Sequence, residues 1–272
     1  MCYSPIFLKS RNLVVDCGKC FECRQKIARN WSFRLASELT TTPHALFITL
    51  TYSDEYYNTA TLEKRDAQLF IKRLRKRLNG RKIKYFLVGE YGTESMRKHF
   101  HAILFNVYMN DIRILYDSWQ KGIVDIGSAA SNSISYVTGY INKKIGDDCE
   151  KEFIDAGYEP AFRLMSKNLG TSFIYKNYDE FIRSKTFTYS GKNYPVPRYF
   201  RDKLGLIQDN PDFLDFITNK QVQKCNELSS KYNIPFNGDI VQFYIDLQNS
   251  TYYDDKRISA EIKNSKIRRD NL

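Results

Sequence analysis

Three β-rich segments set the strongest limit on how this chain can fold. They are residues 45–52 (ALFITLTY), 83–90 (IKYFLVGE) and 99–107 (HFHAILFNV). β-Branched and aromatic residues dominate them, the composition of pleated, half-buried strands. A helix pattern over 62–78 separates the first two: Phe70, Leu74 and Leu78 form its apolar stripe, and Asn79-Gly80 stops it. The second and third are joined by YGTESMRK, a loop longer than a tight hairpin. A helix is expected over 21–39, where Ile27, Trp31, Leu35 and Leu39 recur every fourth residue before Pro43. A short strand is expected over 123–126 and a short helix over 134–144. Helix, strand, helix, strands, helix predicts an α+β domain with a mainly antiparallel sheet.

The chain has 272 residues, 42% of them apolar, which excludes a disordered chain and allows one large domain or two small ones. Its apolar runs are short and interrupted, so no membrane span is expected. The opening MCYSPIFLKSR lacks the layout of a secretory signal, so a soluble, intracellular chain is expected. Gly146-Asp147-Asp148 marks a break. Three regions are therefore expected: 1–40, a cysteine-rich arm with the first helix; 41–147, the main domain; and 148–272, a mostly helical extension. Lys and Arg number 42 against 31 acidic residues, a net charge of +11, which suits a polyanion such as nucleic acid. Lys72, Arg73, Arg75, Lys76 and Arg77 crowd the helix of residues 62–78. They are candidates for phosphate contacts, which position a strand without reading it, or equally a solvated helix face.

Three further features carry chemistry together. In His99-Phe100-His101, alternation along a strand puts both imidazoles on one face. Glu90 ends the preceding strand, and antiparallel pairing brings it to the histidines. One carboxylate with two imidazoles is a mixed oxygen–nitrogen set that suits Mg²⁺ or Mn²⁺ with open positions. Each piece alone is also an ordinary surface arrangement. On the helix of residues 134–144, Tyr136 and Tyr140 lie four apart and Lys143 three further on, nearly on one side. A phenol can attack a phosphodiester when a divalent ion offsets the developing charge, and a lysine can steady the phosphate or favour the phenolate.

Cys17, Cys20 and Cys23 have C-x2-C-x2-C spacing, and Cys2 offers a fourth sulfur. Four thiolates can make a tetrahedral, structural Zn²⁺ site; reduced, partly buried thiols are the alternative.

At these residues the chain resembles the HUH endonucleases, and more narrowly the replication initiators of gokushovirus-type microviruses, relatives of the microvirus A protein. The resemblance lies in Phe47 to Tyr52 (FITLTY), in VGEYG at 88–92 followed by HFH at 99–101, and in Tyr136-x3-Tyr140-x2-Lys143. Cys17-Gly-Lys-Cys20-x2-Cys23-Arg24, Trp31 and Glu38, and PRYFRDK at 197–203 are also typical of that viral branch. It implies a five-stranded antiparallel sheet flanked by helices, with the catalytic domain at 41–147. It implies metal ligands His99, His101 and Glu90, nucleophiles Tyr140 and Tyr136, and an assisting Lys143. The YxxK spacing assigns the first cut to Tyr140. The implied activity is rolling-circle initiation: nicking and rejoining single-stranded DNA at a viral origin in the bacterial cytoplasm, with host helicase and polymerase as partners. Plasmid initiators, relaxases and single-strand transposases share this chemistry, and a non-enzymatic single-strand-binding module is the third reading.

Overall fold

A computed structural model describes residues 2–42, 44–57, 59–92, 95–143, 147–189, 191–206 and 211–269, with side chains for all of these except 141–143, 147–150 and 267–269. In chain order the elements are β1 (Ile6–Leu8), β2 (Leu13–Val15), α1 (Phe21–Thr41), β3 (Ala45–Tyr52), α2 (Lys64–Arg77), β4 (Lys84–Tyr91), β5 (Lys98–Phe105), α3 (Ile112–Trp119), β6 (Gly122–Ser128), α4 (Ser131–Lys143), α5 (Asp147–Asp155) and β7 (Phe162–Met165). They continue as α6 (Thr171–Lys176), α7 (Tyr178–Ser184), β8 (Thr186–Tyr189), β9 (Lys192–Pro195), α8 (Arg198–Lys203), α9 (Pro211–Tyr232), α10 (Ile240–Asp246) and α11 (Tyr252–Arg269). The chain forms two compact units: Ala28–Asn177, and a discontinuous one of Met1–Ile27 with Tyr178–Leu272.

The first of these units holds a five-stranded sheet in the order β6-β3-β5-β4-β7, every pair antiparallel. The fold is thus α+β, as the strand-rich segments and the family resemblance lead one to expect. Residues directly opposite in such pairs share a face. One face carries Leu46, Ile48, Leu50 and Tyr52 from β3, with Phe100, Ala102 and Leu104 from β5 and Leu87 and Tyr91 from β4. These are buried against Ala67, Phe70, Ile71 and Leu74 of α2 and Leu115 and Trp119 of α3. The opposite face carries Phe47, Thr49, His99, His101, Val88 and Glu90, and α1 and α4 belong to that side. Trp31 of α1 meets Phe86 of β4 with ring centroids 5.0 Å apart, and Ser32 of α1 hydrogen-bonds Thr138 of α4 at 2.8 Å.

Buried polar groups on α1 and α2 are satisfied by charged or backbone partners. The Glu38 carboxylate accepts from Lys84 Nζ at 2.8 Å and from the Gly170 amide at 2.7 Å, joining α1 to β4 and to the turn before α6. Asp66 of α2 accepts from the Tyr52 phenol at 2.7 Å and from Lys121 at 2.9 Å. Lys98 is buried beside the Tyr52 ring at 4.4 Å and donates to Glu63 at 3.2 Å and Thr59 at 2.9 Å. Each contact removes a desolvation penalty that an unpaired buried group would carry.

Two elements of this unit are not visible in the sequence pattern. α3 has eight residues and β7 four, too few for a period to stand out. β7 nonetheless completes the sheet at the β4 edge, from beyond the Gly146-Asp147-Asp148 break.

The discontinuous unit is mostly helical. Its core gathers Cys225 and Leu228 of α9, Ile240, Phe243 and Tyr244 of α10, Leu247, and Tyr252 of α11, with Phe7 and Val14 of the β1–β2 hairpin packed on it. Among the described residues, no helix is long and apolar enough to cross a membrane.

Trp119 lies fully buried with its ring against Tyr52, Phe70 and Phe100, and donates its Nε1–H to the Thr51 carbonyl at 3.0 Å. Trp119→Ala is expected to destabilise the chain by about 3–5 kcal/mol in urea unfolding. A loss under about 1 kcal/mol would refute this account of the core.

Candidate metal and tyrosine site

The register of β4 on β5 pairs Glu90 with His99 and Val88 with His101, so the carboxylate and both imidazoles share one face. The three donor atoms lie within 4.8 Å of one another. His99 Nε2 is 2.8 Å and His101 Nε2 3.2 Å from the same oxygen, Glu90 Oε1. The far nitrogens are also engaged: His99 Nδ1 lies 3.0 Å from the Arg97 carbonyl, and His101 Nδ1 lies 3.0 Å from Thr49 Oγ1. A carbonyl can only accept, so His99 carries its proton on Nδ1 and turns the Nε2 lone pair inward. A hydroxyl that accepts from His101 Nδ1 produces the same orientation there. Neutral imidazoles steered from behind, with a carboxylate, form a ligand set a divalent cation fits.

α4 brings the two tyrosines over this cluster. The Tyr140 ring stacks on His101 at 5.5 Å, 8° from parallel, and Tyr136 meets both rings edge-on at 5.1 Å. Phe47 stacks on His101 at 5.8 Å. Tyr136 Oη lies 3.5 Å from His101 Nε2, at the limit of a hydrogen bond. The two phenols differ in exposure: Tyr140 is 7% exposed and Tyr136 49%. Burial holds the Tyr140 phenol far above the usual range, and its hydrogen bonding to Tyr136 and the Glu90 carboxylate push the same way. Without a cation nearby, Tyr140 is therefore protonated at neutral pH.

Sequence-expected residues fall into three groups. Glu90, His99, His101, Tyr136 and Tyr140 meet at one place. Lys143 ends α4, and its side chain is outside the described residues. The basic residues of α2 do not join the site, because α2 covers the other face of the sheet. Among them, Arg73 donates to the Ser118 and Trp119 carbonyls at 2.6 and 3.0 Å and so ties down the end of α3, whereas Lys72, Arg75, Lys76 and Arg77 are exposed. Cys2, Cys17, Cys20 and Cys23 form a second cluster, with sulfurs within 4.8 Å of one another, in the other unit.

A family model for the replication-associated protein ORF2 matches residues 45–145, the stretch from β3 through α4 that holds the whole cluster. The chain is 31% identical to replication-associated protein VP4 of Bdellovibrio phage phiMH2K over 68% of its length and 66% of that protein. It is 28% identical to replication-associated protein ORF2 of Spiroplasma virus 4, over 93% of this chain and 87% of that one. The chain belongs to the phage replication-associated protein family. Replication-associated protein ORF4 of Chlamydia phage 1 is 28% identical over 76% of this chain. The chain spans 66% and 57% of the lengths of the Bdellovibrio and Chlamydia phage proteins. No solved structure matches it.

In this replication-associated protein, Thr49 and Phe47 are site residues that composition does not reveal. Their signal is positional: in the FITLTY strand they alternate onto the histidine face, and Thr49 pairs with His101 in register. Thr49→Val keeps the shape and removes the hydroxyl behind His101. It is expected to weaken Mn²⁺ binding about 10–100-fold by isothermal titration. Unchanged affinity would show that Thr49 does not orient the ring.

Proposed function

We propose that this replication-associated protein is an HUH-type rolling-circle initiator, which nicks and rejoins single-stranded DNA at a phage origin through a tyrosine–5′-phosphate link. The observation that carries this reading is the meeting of two phenols with a carboxylate and two inward-turned imidazoles: Tyr140 stacked on His101 and bonded to Glu90, and Tyr136 Oη at His101 Nε2. The mixed donor set of His99, His101 and Glu90 suits Mg²⁺ or Mn²⁺. Such an ion supplies Lewis-acid polarisation of a non-bridging phosphate oxygen.

The residues act as follows. The Tyr140 oxygen attacks the phosphorus, the bond from phosphorus to the 3′ oxygen breaks, the phenol proton is released and the leaving oxygen ends as a 3′-OH. The product is a 5′-phosphotyrosine that retains the energy of the phosphodiester. A free 3′-OH that attacks this link restores the strand and the phenol. Tyr136, exposed beside Tyr140, takes a second strand, so one covalent intermediate can be exchanged for another. Lys143, three residues past Tyr140 on α4, offsets charge on the phosphate. Exposed cations on α2 add long-range attraction for the strand. The freed 3′-OH is a primer for a host polymerase, with a host helicase opening the duplex, in the bacterial cytoplasm. The phage relatives favour this reading over a plasmid initiator, relaxase or transposase of the same chemistry.

Single-stranded oligonucleotides tiled across the encoding replicon, incubated with Mn²⁺, test it. A denaturant-resistant protein–DNA adduct is expected, with mass spectrometry placing the first link on Tyr140. Tyr140→Phe should abolish that adduct and keep DNA binding. His101→Ala should reduce it by at least the about 10–100-fold that loss of a supporting partner costs. Salt-sensitive binding with no adduct on any oligonucleotide would instead make the chain a non-enzymatic binding module.

A further inference from the structure

We propose that Cys2, Cys17, Cys20 and Cys23 hold one structural zinc ion, and that this ion clamps the β1–β2 hairpin onto the C-terminal helices of its own unit. The first support is the spacing of the sulfurs. Cys17 Sγ and Cys23 Sγ are 3.8 Å apart, as are Cys2 Sγ and Cys20 Sγ, and all four sulfurs lie within 4.8 Å of one another. Four thiolates at about 2.3 Å from a central zinc stand about 3.8 Å apart along the edges of a tetrahedron. A disulfide needs about 2.05 Å, and the cysteines are free. A cluster of several irons spreads its cysteines over separate metal atoms, which this close grouping does not allow.

The second support is what surrounds the sulfurs. The Lys19 and Cys20 amides point at Cys17 Sγ at 3.4 and 3.3 Å, and the Cys17 amide points at Cys2 Sγ at 3.4 Å. Amide donors are weak partners for a thiol and good ones for a thiolate, the form that binds metal. Cys20 sits just before Phe21, the first residue of α1, and its carbonyl accepts the Arg24 amide at 2.9 Å; Cys23 lies in the first turn. The positive end of a helix favours thiolates there. Cys225, by contrast, is buried among Leu228, Ile240 and Phe243, and shows a cysteine of the same unit used as an apolar side chain.

The third support is what the cluster encloses. Cys2 precedes β1 and Cys17 follows β2, so a shared ion closes the chain around the hairpin. Each strand has only three residues, too few to hold on its own. The hairpin is sewn to the helices side by side. Gln221 of α9 accepts from the Val14 amide at 3.1 Å and donates to its carbonyl at 2.9 Å. Asn12 accepts from the Val241 amide of α10 at 3.0 Å and donates to the Gly238 carbonyl at 3.2 Å. Phe7 and Val14 pack on the helical core between these bonds. The ion thus fixes both ends of a segment whose middle orders α9 and α10. On binding, the thiols release their protons and the site becomes net negative, a charge the three amides partly offset.

The test uses the full chain, purified under reducing conditions and washed with EDTA. Elemental analysis should find one tightly held zinc per chain, retained in His101→Ala and lost in Cys20→Ser. That pairing separates this site from the histidine site and does not depend on any nicking activity. Because Cys20→Ser can also unfold locally, a second measurement is made on the wild-type chain refolded with Co²⁺. Strong sulfur-to-cobalt charge-transfer bands with intense tetrahedral bands in the visible are expected. Stripping the metal with a strong chelator should raise hydrogen exchange in residues 6–15 and 221–244, and leave the sheet of residues 45–105 unchanged. Absence of zinc, iron in its place, or an intact mass four hydrogens short from two disulfides would each overturn the metal assignment. Zinc release without any change in exchange at the hairpin would overturn the clamp.

Discussion

The cross-strand pairing of β4 with β5 is the constraint on which the candidate site depends. Glu90 sits opposite His99, and Val88 opposite His101. A slip of one residue would turn every side chain of β4 to the other face and bury the Glu90 carboxylate against α2. The apolar side of the same two strands prevents the slip. Phe100, between the two histidines, points away from them into the core with Leu87, Leu104 and Trp119. Gly89, next to Glu90, makes room for it. A Cβ at Gly89 would stand 2.9 Å from the Phe162 ring and 3.1 Å from the Phe100 ring, closer than such contacts allow. Residues that alternate with the ligands are thus the wedges that hold the register.

Much of this is legible in the sequence because strand alternation is a strict rule. The histidine pair, the carboxylate at the end of the preceding strand and the four-residue tyrosine spacing each state a local geometry, and the sheet brings those geometries together. What local rules cannot state is which strand lies beside which. Thr49 is indistinguishable from Thr51 in sequence, and its place behind the His101 ring follows only from β3 pairing with β5. The same applies to the face that α2 covers. Its apolar stripe of Phe70, Ile71 and Leu74 shows that it packs, but not on which side of the sheet. β7 and α3 are illegible because four and eight residues carry little periodicity, and tertiary pairing makes them.

The two donor clusters divide by chemistry as well as by position in the chain. One mixes a carboxylate with imidazoles and lies under exposed Tyr136; the other is all sulfur, lined by backbone amides and buried at Cys2, Cys20 and Cys23. Hard or borderline ions with open positions suit the first, and a closed soft-ligand site suits the second. Separation of this kind lets one chain keep a structural ion from competing at a site that must stay open to substrate oxygens.

The burial of Tyr140 has a consequence for how a strand would be handled. A phenol held protonated is a poor nucleophile, so the stacked geometry that fixes its direction also keeps it quiet until positive charge arrives near Glu90. Tyr136, half exposed a turn earlier on α4, carries less of that desolvation and can meet a second strand from solvent. The net charge of +11 cannot supply the local compensation, since the exposed cations of α2 lie across the sheet and act only through the long-range field. Register places one cationic residue, Arg163 of β7, on the tyrosine face, across Val88 from His101. Attraction of a polyanion and alignment of its backbone therefore fall to different parts of the sheet, and only the second is set by the strand pairing that builds the site.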